Sequence, residues 1–139
     1  MGIDAPWVGE RFSQGGLDIP ADVHQVGLSL AGGQPDSPAG TVLLASHVNY
    51  AGQGAGVFAS LYRVQPGALV VLTDRAGRAS RWRVTGLDDP LKAKLDSGLF
   101  TAAGPRRLAL ITCGGRVIAG QYERNIVVTA IPEASWTTS

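Results

Sequence analysis

The stretch Leu108-Ala109-Leu110-Ile111-Thr112-Cys113 is the clearest strand signal in this chain of 139 residues. Its apolar and β-branched residues follow one another without interruption, which is typical of a β-strand. Gly114 and Gly115 come directly after it. We therefore predict a strand over Arg107–Thr112 with Cys113 at its end, and the two glycines beyond it leave room for the backbone of an approaching chain.

Similar short stretches recur on both sides of this segment, and residues that favour turns separate them. The 19 glycines and 8 prolines supply these turns. The other predicted strands are Ile3–Val8, Val26–Leu30, Thr41–His47, Ala68–Thr73, Ser80–Leu87 and Asn125–Ile131. Asp74-Arg75-Ala76-Gly77 predicts a hairpin turn in which Gly77 takes a positive φ. The alternation in Arg81-Trp82-Arg83-Val84-Thr85 predicts a strand with one face in water.

Helical patterns are few. Gly56–Val64 predicts a short helix from its apolar spacing, and Asp88–Phe100 predicts another, with Asp89 as its cap and Pro90 in the first helical position. Many short strands and little helix predict a mostly-β domain. A closed or nearly closed antiparallel barrel is favoured, because a small open sheet would leave its edges exposed. A β-sandwich has a similar sequence signature and stays open as an alternative.

Composition argues against several classes of function. A formal net charge of +1 gives no basic surface for nucleic acid or an anionic membrane. No apolar run approaches the roughly 20 residues of a spanning helix, and no signal peptide precedes the first predicted strand, so we expect the chain as given to be soluble. One cysteine cannot form an internal disulfide, and with two histidines it cannot supply a zinc site of soft ligands. We expect no metal or organic cofactor.

The chemistry of the chain then depends on whether Cys113 is a buried filler or a reactive thiol. A cysteine nucleophile needs an imidazole nearby, which favours the thiolate and later protonates the leaving amine. His47 lies at the end of a predicted strand and is the candidate for this role. His24 competes with it, but it follows a turn-like stretch and has the context of an ordinary loop residue.

Arg124 directly precedes the predicted strand Asn125–Ile131. A guanidinium beside a thiol favours the thiolate and donates hydrogen bonds to a developing oxyanion. Arg116 is closer to Cys113 in sequence but falls in the predicted glycine-rich loop. Glu123 offers Arg124 a simple surface ion pair instead, which would have little energetic consequence.

Taken together, these segments resemble the sortases. Leu110-Ile111-Thr112-Cys113 resembles the Leu-x-Thr-Cys signature of the family, and the order of histidine, cysteine and arginine is the family's order. Ala45-Ser46-His47 resembles the histidine strand, although Ser46 stands where the family usually has glycine. Further similar segments are Arg124–Val128, Ile3–Pro6, Gly16–Pro20, Gly56–Leu61 and Pro66-Gly67. The run Leu-Ile-Thr-Cys-Gly-Gly is most similar to class F, with class E next.

The resemblance implies an eight-stranded barrel formed by a catalytic domain over residues 1–132, with a tail over 133–139. It also implies that the N-terminal membrane anchor and most of the first strand are absent from this sequence. The full-length protein would then act outside the cytoplasm, anchored at the cell surface.

The implied activity is that of a cysteine transpeptidase. Cys113 would attack the threonine carbonyl of a Leu-Pro-x-Thr-Gly-like (LPXTG-like) sorting signal in a secreted protein and form a thioester acyl-enzyme. An amine from a cell-wall precursor or a pilin would resolve it. His47 would be the general acid and base, and Arg124 would hold the substrate backbone and stabilise the oxyanion. The implied substrate contacts are Thr112, Leu91 and Leu95.

Several alternatives stay open beside this interpretation. Leu91 and Leu95 lie in the segment Pro90–Phe100, and their spacing suits a helix packed on the core equally well. The chain could be a cysteine peptidase that releases its product to water, or a non-catalytic all-β binding module with a structural cysteine. We expect no nucleic-acid partner and a monomeric chain.

Overall fold

The computed structural model describes residues 7–10, 26–29, 39–46, 49–50, 54–55, 61–73, 77–90, 103–118 and 121–133. These residues form nine strands and one turn of 3-10 helix. The strands are β1 (Trp7–Glu10), β2 (Val26–Ser29), β3 (Thr41–Ala45), β4 (Asn49–Tyr50), β5 (Gly54–Ala55), β6 (Leu69–Thr73), β7 (Ala79–Asp88), β8 (Arg107–Ile118) and β9 (Gln121–Pro132), and the 3-10 turn, η1, is Leu61–Arg63. The mostly-β prediction is confirmed.

Seven strands form one strongly curled sheet in the order β1-β2-β3-β8-β9-β7-β6, and β4 pairs with β5. The sheet is mixed rather than antiparallel as predicted, because β1 is parallel to β2 and β3 is parallel to β8. The remaining pairs are antiparallel. Among the pairings of the described strands none joins β1 to β6, so these strands are the edges of a half-barrel, and the predicted closure is not observed.

The core lies on one face of this sheet. Successive residues of a strand point to opposite faces, so each strand contributes every second residue. The core cluster consists of Leu28, Val42, Leu44, Leu61, Val70, Trp82, Val84, Leu108, Leu110, Ile126, Val128 and Ala130. Trp82 is its largest buried side chain, and its Nε1 donates a hydrogen bond to Ser80 Oγ at 3.0 Å, which satisfies the indole inside the core.

The three central strands are buried on both faces. Residues that alternate with the core cluster are also inaccessible to solvent, namely Leu43, Ala45, Ala109, Ile111 and Val127. Strands covered on both sides need apolar residues at nearly every position. This double burial explains why apolar residues follow one another in the sequences of β3, β8 and β9.

The predicted β6–β7 hairpin is present. The two strands pair from Leu69 opposite Arg83 to Thr73 opposite Ala79, and Gly77 in the connection has φ +81°. Along β7, Trp82 and Val84 are buried while Arg81 and Thr85 are exposed, as the alternation predicts.

Glu133, the first residue of the predicted tail, is bonded to β7. It accepts hydrogen bonds from Arg81 Nε at 2.6 Å and from Arg83 Nη2 at 2.8 Å. Arg83 Nη1 also donates to the Gly67 carbonyl at 3.1 Å, so this ion cluster connects the end of β9 with β7 and with the turn before β6. Residues 134–139 lie outside the described residues.

The two predicted helices have different outcomes: the first is observed in part as a 3-10 turn, and the second does not start where it was predicted. The described part of Gly56–Val64 forms η1. The predicted helix over Asp88–Phe100 does not begin at Asp88, because this residue still pairs with Val127 as the last residue of β7. Residues 91–100 lie outside the described residues. Within the part that is described, no helix has the length and apolar character needed to cross a membrane.

Candidate active site

The candidate site lies where the ends of β3 and β7 meet the middle of β8 and β9. Because β3 and β8 are parallel, the C-terminal end of β3 lies beside Ile111, which is paired with Ala45. On the other side, β9 runs antiparallel to β8 and places Asn125 opposite Cys113 and Arg124 opposite Gly114. The topology thus brings residues that are far apart in sequence to one region of the sheet.

Cys113 lies within β8 rather than at the end of a strand. The sequence prediction ended the strand near the two glycines, but β8 continues to Ile118 and stays paired with β9. The register shifts between Gly114 and Val117, and glycines are typical of such a bulge. Arg116 therefore belongs to β8 and not to a loop, which corrects the prediction.

His47 lies outside the described residues, but Ser46 directly before it is one of them. The Ser46 N–H donates to the Ile111 carbonyl at 3.1 Å, and the Ser46 carbonyl accepts a hydrogen bond from Thr112 Oγ1 at 2.8 Å. Ser46 and Thr112 are both buried, at 0% and 2% exposure. The residue before the histidine candidate is therefore bonded to the residue before Cys113.

Arg124 lies inside β9, three residues after Gln121, so its predicted place before a strand was wrong. The side chain is half-buried, and its Nη1 donates to the Asp89 carbonyl at 2.8 Å. The backbone N–H of the next residue, Asn125, donates to the Pro90 carbonyl at 3.0 Å. These two bonds fasten the chain to β9 where it leaves β7.

The same two bonds bear on the predicted substrate segment. Leu91 and Leu95 lie outside the described residues, but Pro90 directly precedes Leu91. Pro90 is bonded to Asn125 on the side of β9 that faces β7, whereas Cys113 is the register partner of Asn125 on the other side, so β9 lies between Pro90 and the cysteine position.

A comparison of the chain with known protein families finds a match. A family model described as the sortase domain matches residues 13–133, which is most of the chain. The chain belongs to the sortase family. Sortases are cysteine transpeptidases. Comparison with curated proteins finds no significant match in sequence.

Solved sortases share the fold of this sortase domain. Sortase A from Corynebacterium diphtheriae superposes with a TM-score of 0.66 at 19% identity, over 84% of this chain and 52% of that one. Sortase C-1 from Actinomyces oris gives a TM-score of 0.64 at 20% identity, over 78% of this chain and 57% of that one. The chain therefore spans little more than half of these structures. At such identities the likeness concerns the fold, and the assignment to class F or class E stays a prediction.

The contacts that organise this sortase site were missed by sequence reasoning. Thr112, predicted to contact substrate, has its hydroxyl bonded to Ser46, and Asp89, predicted to cap a helix, holds Arg124 through its carbonyl. One signal for the first contact was present in the sequence. A threonine in a buried apolar strand needs a hydrogen-bond partner, and the partners within reach belong to the neighbouring strands.

Proposed function

We propose that this sortase domain is an active cysteine transpeptidase for LPXTG-like sorting signals, with Cys113 as nucleophile, His47 as proton partner and Arg124 as oxyanion stabiliser. The observation that carries the proposal is the hydrogen bond from the Thr112 hydroxyl to the Ser46 carbonyl, which joins the residue before Cys113 to the residue before His47. This bond supports the proposed pairing of Cys113 with His47, and Arg124 lies on the neighbouring strand β9, one residue before the register partner of Cys113.

The proposed reaction has two acyl transfers. The Cys113 Sγ attacks the carbonyl carbon of the signal's threonine, and the carbonyl oxygen becomes an oxyanion that the Arg124 guanidinium stabilises. The bond to the glycine nitrogen breaks as His47 donates a proton to the leaving amine, which leaves a thioester on Cys113. An incoming amine, deprotonated by His47, then attacks the thioester and restores the thiol.

The partners and location follow from the same proposal. The acyl donors would be secreted proteins that carry the signal, and the acceptor would be an amine of a cell-wall precursor or a pilin. The full-length protein would act outside the cytoplasm, anchored at the cell surface. The similarity of Leu-Ile-Thr-Cys-Gly-Gly to class F supports a place in that class.

A peptide assay tests the proposal. The protein is incubated with an LPXTG peptide, with and without a triglycine amine acceptor, and analysed by mass spectrometry. We expect an acyl adduct at Cys113, and an amide product when the acceptor is present. Cys113→Ala is the matched control and should give neither. Hydrolysed peptide alone, unchanged by the acceptor, would favour a cysteine peptidase instead. An inert Cys113 that reacts with neither peptide nor a thiol probe would favour a binding module.

A further inference from the structure

Two buried threonines lie at opposite ends of the β3–β8 pair. Thr41 begins β3, and its Oγ1 accepts a hydrogen bond from Arg107 Nε at 2.7 Å. Thr112 lies at the other end, and its Oγ1 donates to the Ser46 carbonyl at 2.8 Å. The two side chains are equally buried, at 1% and 2% exposure. Only Thr112 is adjacent to the candidate nucleophile, so Thr41 provides an internal reference for its role.

The hydroxyl of Thr112 extends the connection between the two strands beyond β3. The last residue of β3, Ala45, is paired with Ile111, and Ser46 still donates its N–H to the Ile111 carbonyl. The carbonyl of Ser46 belongs to the next peptide group along the chain, and its oxygen accepts the hydrogen bond from the Thr112 hydroxyl. A side chain thus takes the place of the backbone partner that the end of the strand would otherwise provide.

The bonded carbonyl belongs to the peptide that joins Ser46 to His47. A trans peptide is planar, so the orientation of its oxygen also sets the direction in which the next Cα lies. The Thr112 hydroxyl therefore constrains where the chain places His47 relative to β8, the strand that carries Cys113. The bond is buried, and water cannot readily replace it.

We propose that Thr112 is a positioning residue that holds the backbone of His47 in register with Cys113. This inference rests on the proposed function of the two residues. Proton transfer requires heavy atoms within about 2.6–3.2 Å of each other. A displacement of about 1 Å can cost on the order of 10²-fold in rate, so loss of one hydroxyl that sets this geometry should be visible in catalysis.

The first test compares variants that differ by one hydroxyl. Thr112→Val keeps the shape of the side chain, and we expect kcat for the LPXTG peptide to fall by about 10- to 100-fold with KM nearly unchanged. Thr112→Ser keeps the hydroxyl and should retain most of the parental kcat. Thr41→Val removes the matched hydroxyl at the far end of the strands and should keep the parental kcat, whatever its effect on the melting temperature.

A second readout does not require the sorting signal. The rate at which iodoacetamide alkylates Cys113 is measured against pH in the parent and in each variant. The Thr112→Val profile should move toward that of His47→Ala, whereas the Thr112→Ser and Thr41→Val profiles should match the parent. If the parent turns over no signal peptide but these profiles behave as expected, the proposed substrate is wrong and the positioning role of Thr112 stands.

Four results would overturn the inference. The first is a parental kcat and alkylation profile for Thr112→Val, and the second is a loss of kcat in Thr41→Val as large as that in Thr112→Val. The third is a Thr112→Ser variant as impaired as Thr112→Val, and the fourth is an alkylation profile of His47→Ala identical to that of the parent. Thr112→Ala and Thr112→Ser form a second pair in case valine does not fit. If neither Thr112→Val nor Thr112→Ala folds, the hydroxyl serves the fold itself, and the positioning role is rejected.

Discussion

Replacing Arg124 with lysine separates the charge of this side chain from its geometry. A guanidinium has five N–H donors in a fixed plane, whereas an ammonium is a compact charge on a flexible stem. The structure gives Arg124 one defined task already, since its Nη1 donates to the Asp89 carbonyl at 2.8 Å. A planar group can hold Asp89 and bond a substrate oxygen in a single arrangement, and lysine has no such fixed fork.

Loss of the bond to Asp89 and loss of the proposed bond to the oxyanion should have effects of different size. Loss of the bond to Asp89, which is exposed in part, should cost about 1 kcal/mol, or roughly 4 °C in melting temperature for a domain of this size. Loss of an oxyanion donor in an acyl-transfer enzyme costs on the order of 10²-fold in kcat, or about 3 kcal/mol. We therefore expect Arg124→Lys to be a nearly stable protein with a severely reduced kcat.

The assay follows transfer of an LPXTG peptide to triglycine, together with the melting temperature and the rate of Cys113 alkylation. Arg116→Lys is the matched control, because it makes the same exchange on the neighbouring strand, and it should stay close to the parent. Near-parental kcat for Arg124→Lys, with a large loss for Arg116→Lys, would refute the reasoning and make Arg116 the catalytic arginine. A loss of kcat matched by an equal loss of alkylation rate would indicate that the charge acts only on the thiol.

Three further predictions concern the nucleophile, its proton partner and the acid stability of the sheet. Cys113→Ala should abolish cleavage and leave the melting temperature close to the parent, and turnover by this variant would end the sortase mechanism. His47→Ala should lose most peptide cleavage while His24→Ala keeps it, and an exchange of these outcomes would reassign the proton partner. Hydrogen bonds from Arg81 and then Arg83 lower the pKa of Glu133 below its usual range. A lowered pKa in the folded state stabilises the protein above the unfolded-state value of about 4.3, and this contribution is lost as the pH falls through the folded value. The free energy of unfolding of Glu133→Gln should therefore be lower than the parent's at pH 7, and the difference should shrink at pH 3. A difference that does not change with pH would contradict the role of Glu133.

The positions of the strands could be predicted because strand formation here has a local signal. Apolar runs such as Thr41–Ala45 and Leu108–Thr112 are buried on both faces, and each residue reports that burial by its own type. The alternation along β7 and the positive φ of Gly77 are likewise local properties. The types of side chain proposed for the chemistry were also readable, because a cysteine nucleophile requires an imidazole and a donor for the oxyanion wherever they lie in sequence.

Pairing and register were not readable, because they depend on residues distant in the chain. The sequence predicted an antiparallel sheet, but the parallel pairing of β3 with β8 joins segments separated by 66 positions, as the contact between Thr112 and Ser46 shows. The glycines after Cys113 predicted the end of a strand. In the structure β8 continues beyond them, because β9 supplies backbone partners as far as Ile118. A single strand contains no information about such a partner.

For the candidate site, too, the residue types were readable from the sequence and the contacts between distant residues were not. By itself the sequence determined which residues could act as nucleophile, proton partner and charge stabiliser. Only the tertiary structure decided that Thr112 bonds the residue before His47 and that Arg124 bonds the end of β7. The physical reason is that a hydrogen bond requires two atoms within about 3 Å, and folding alone brings together atoms that the chain separates by tens of residues.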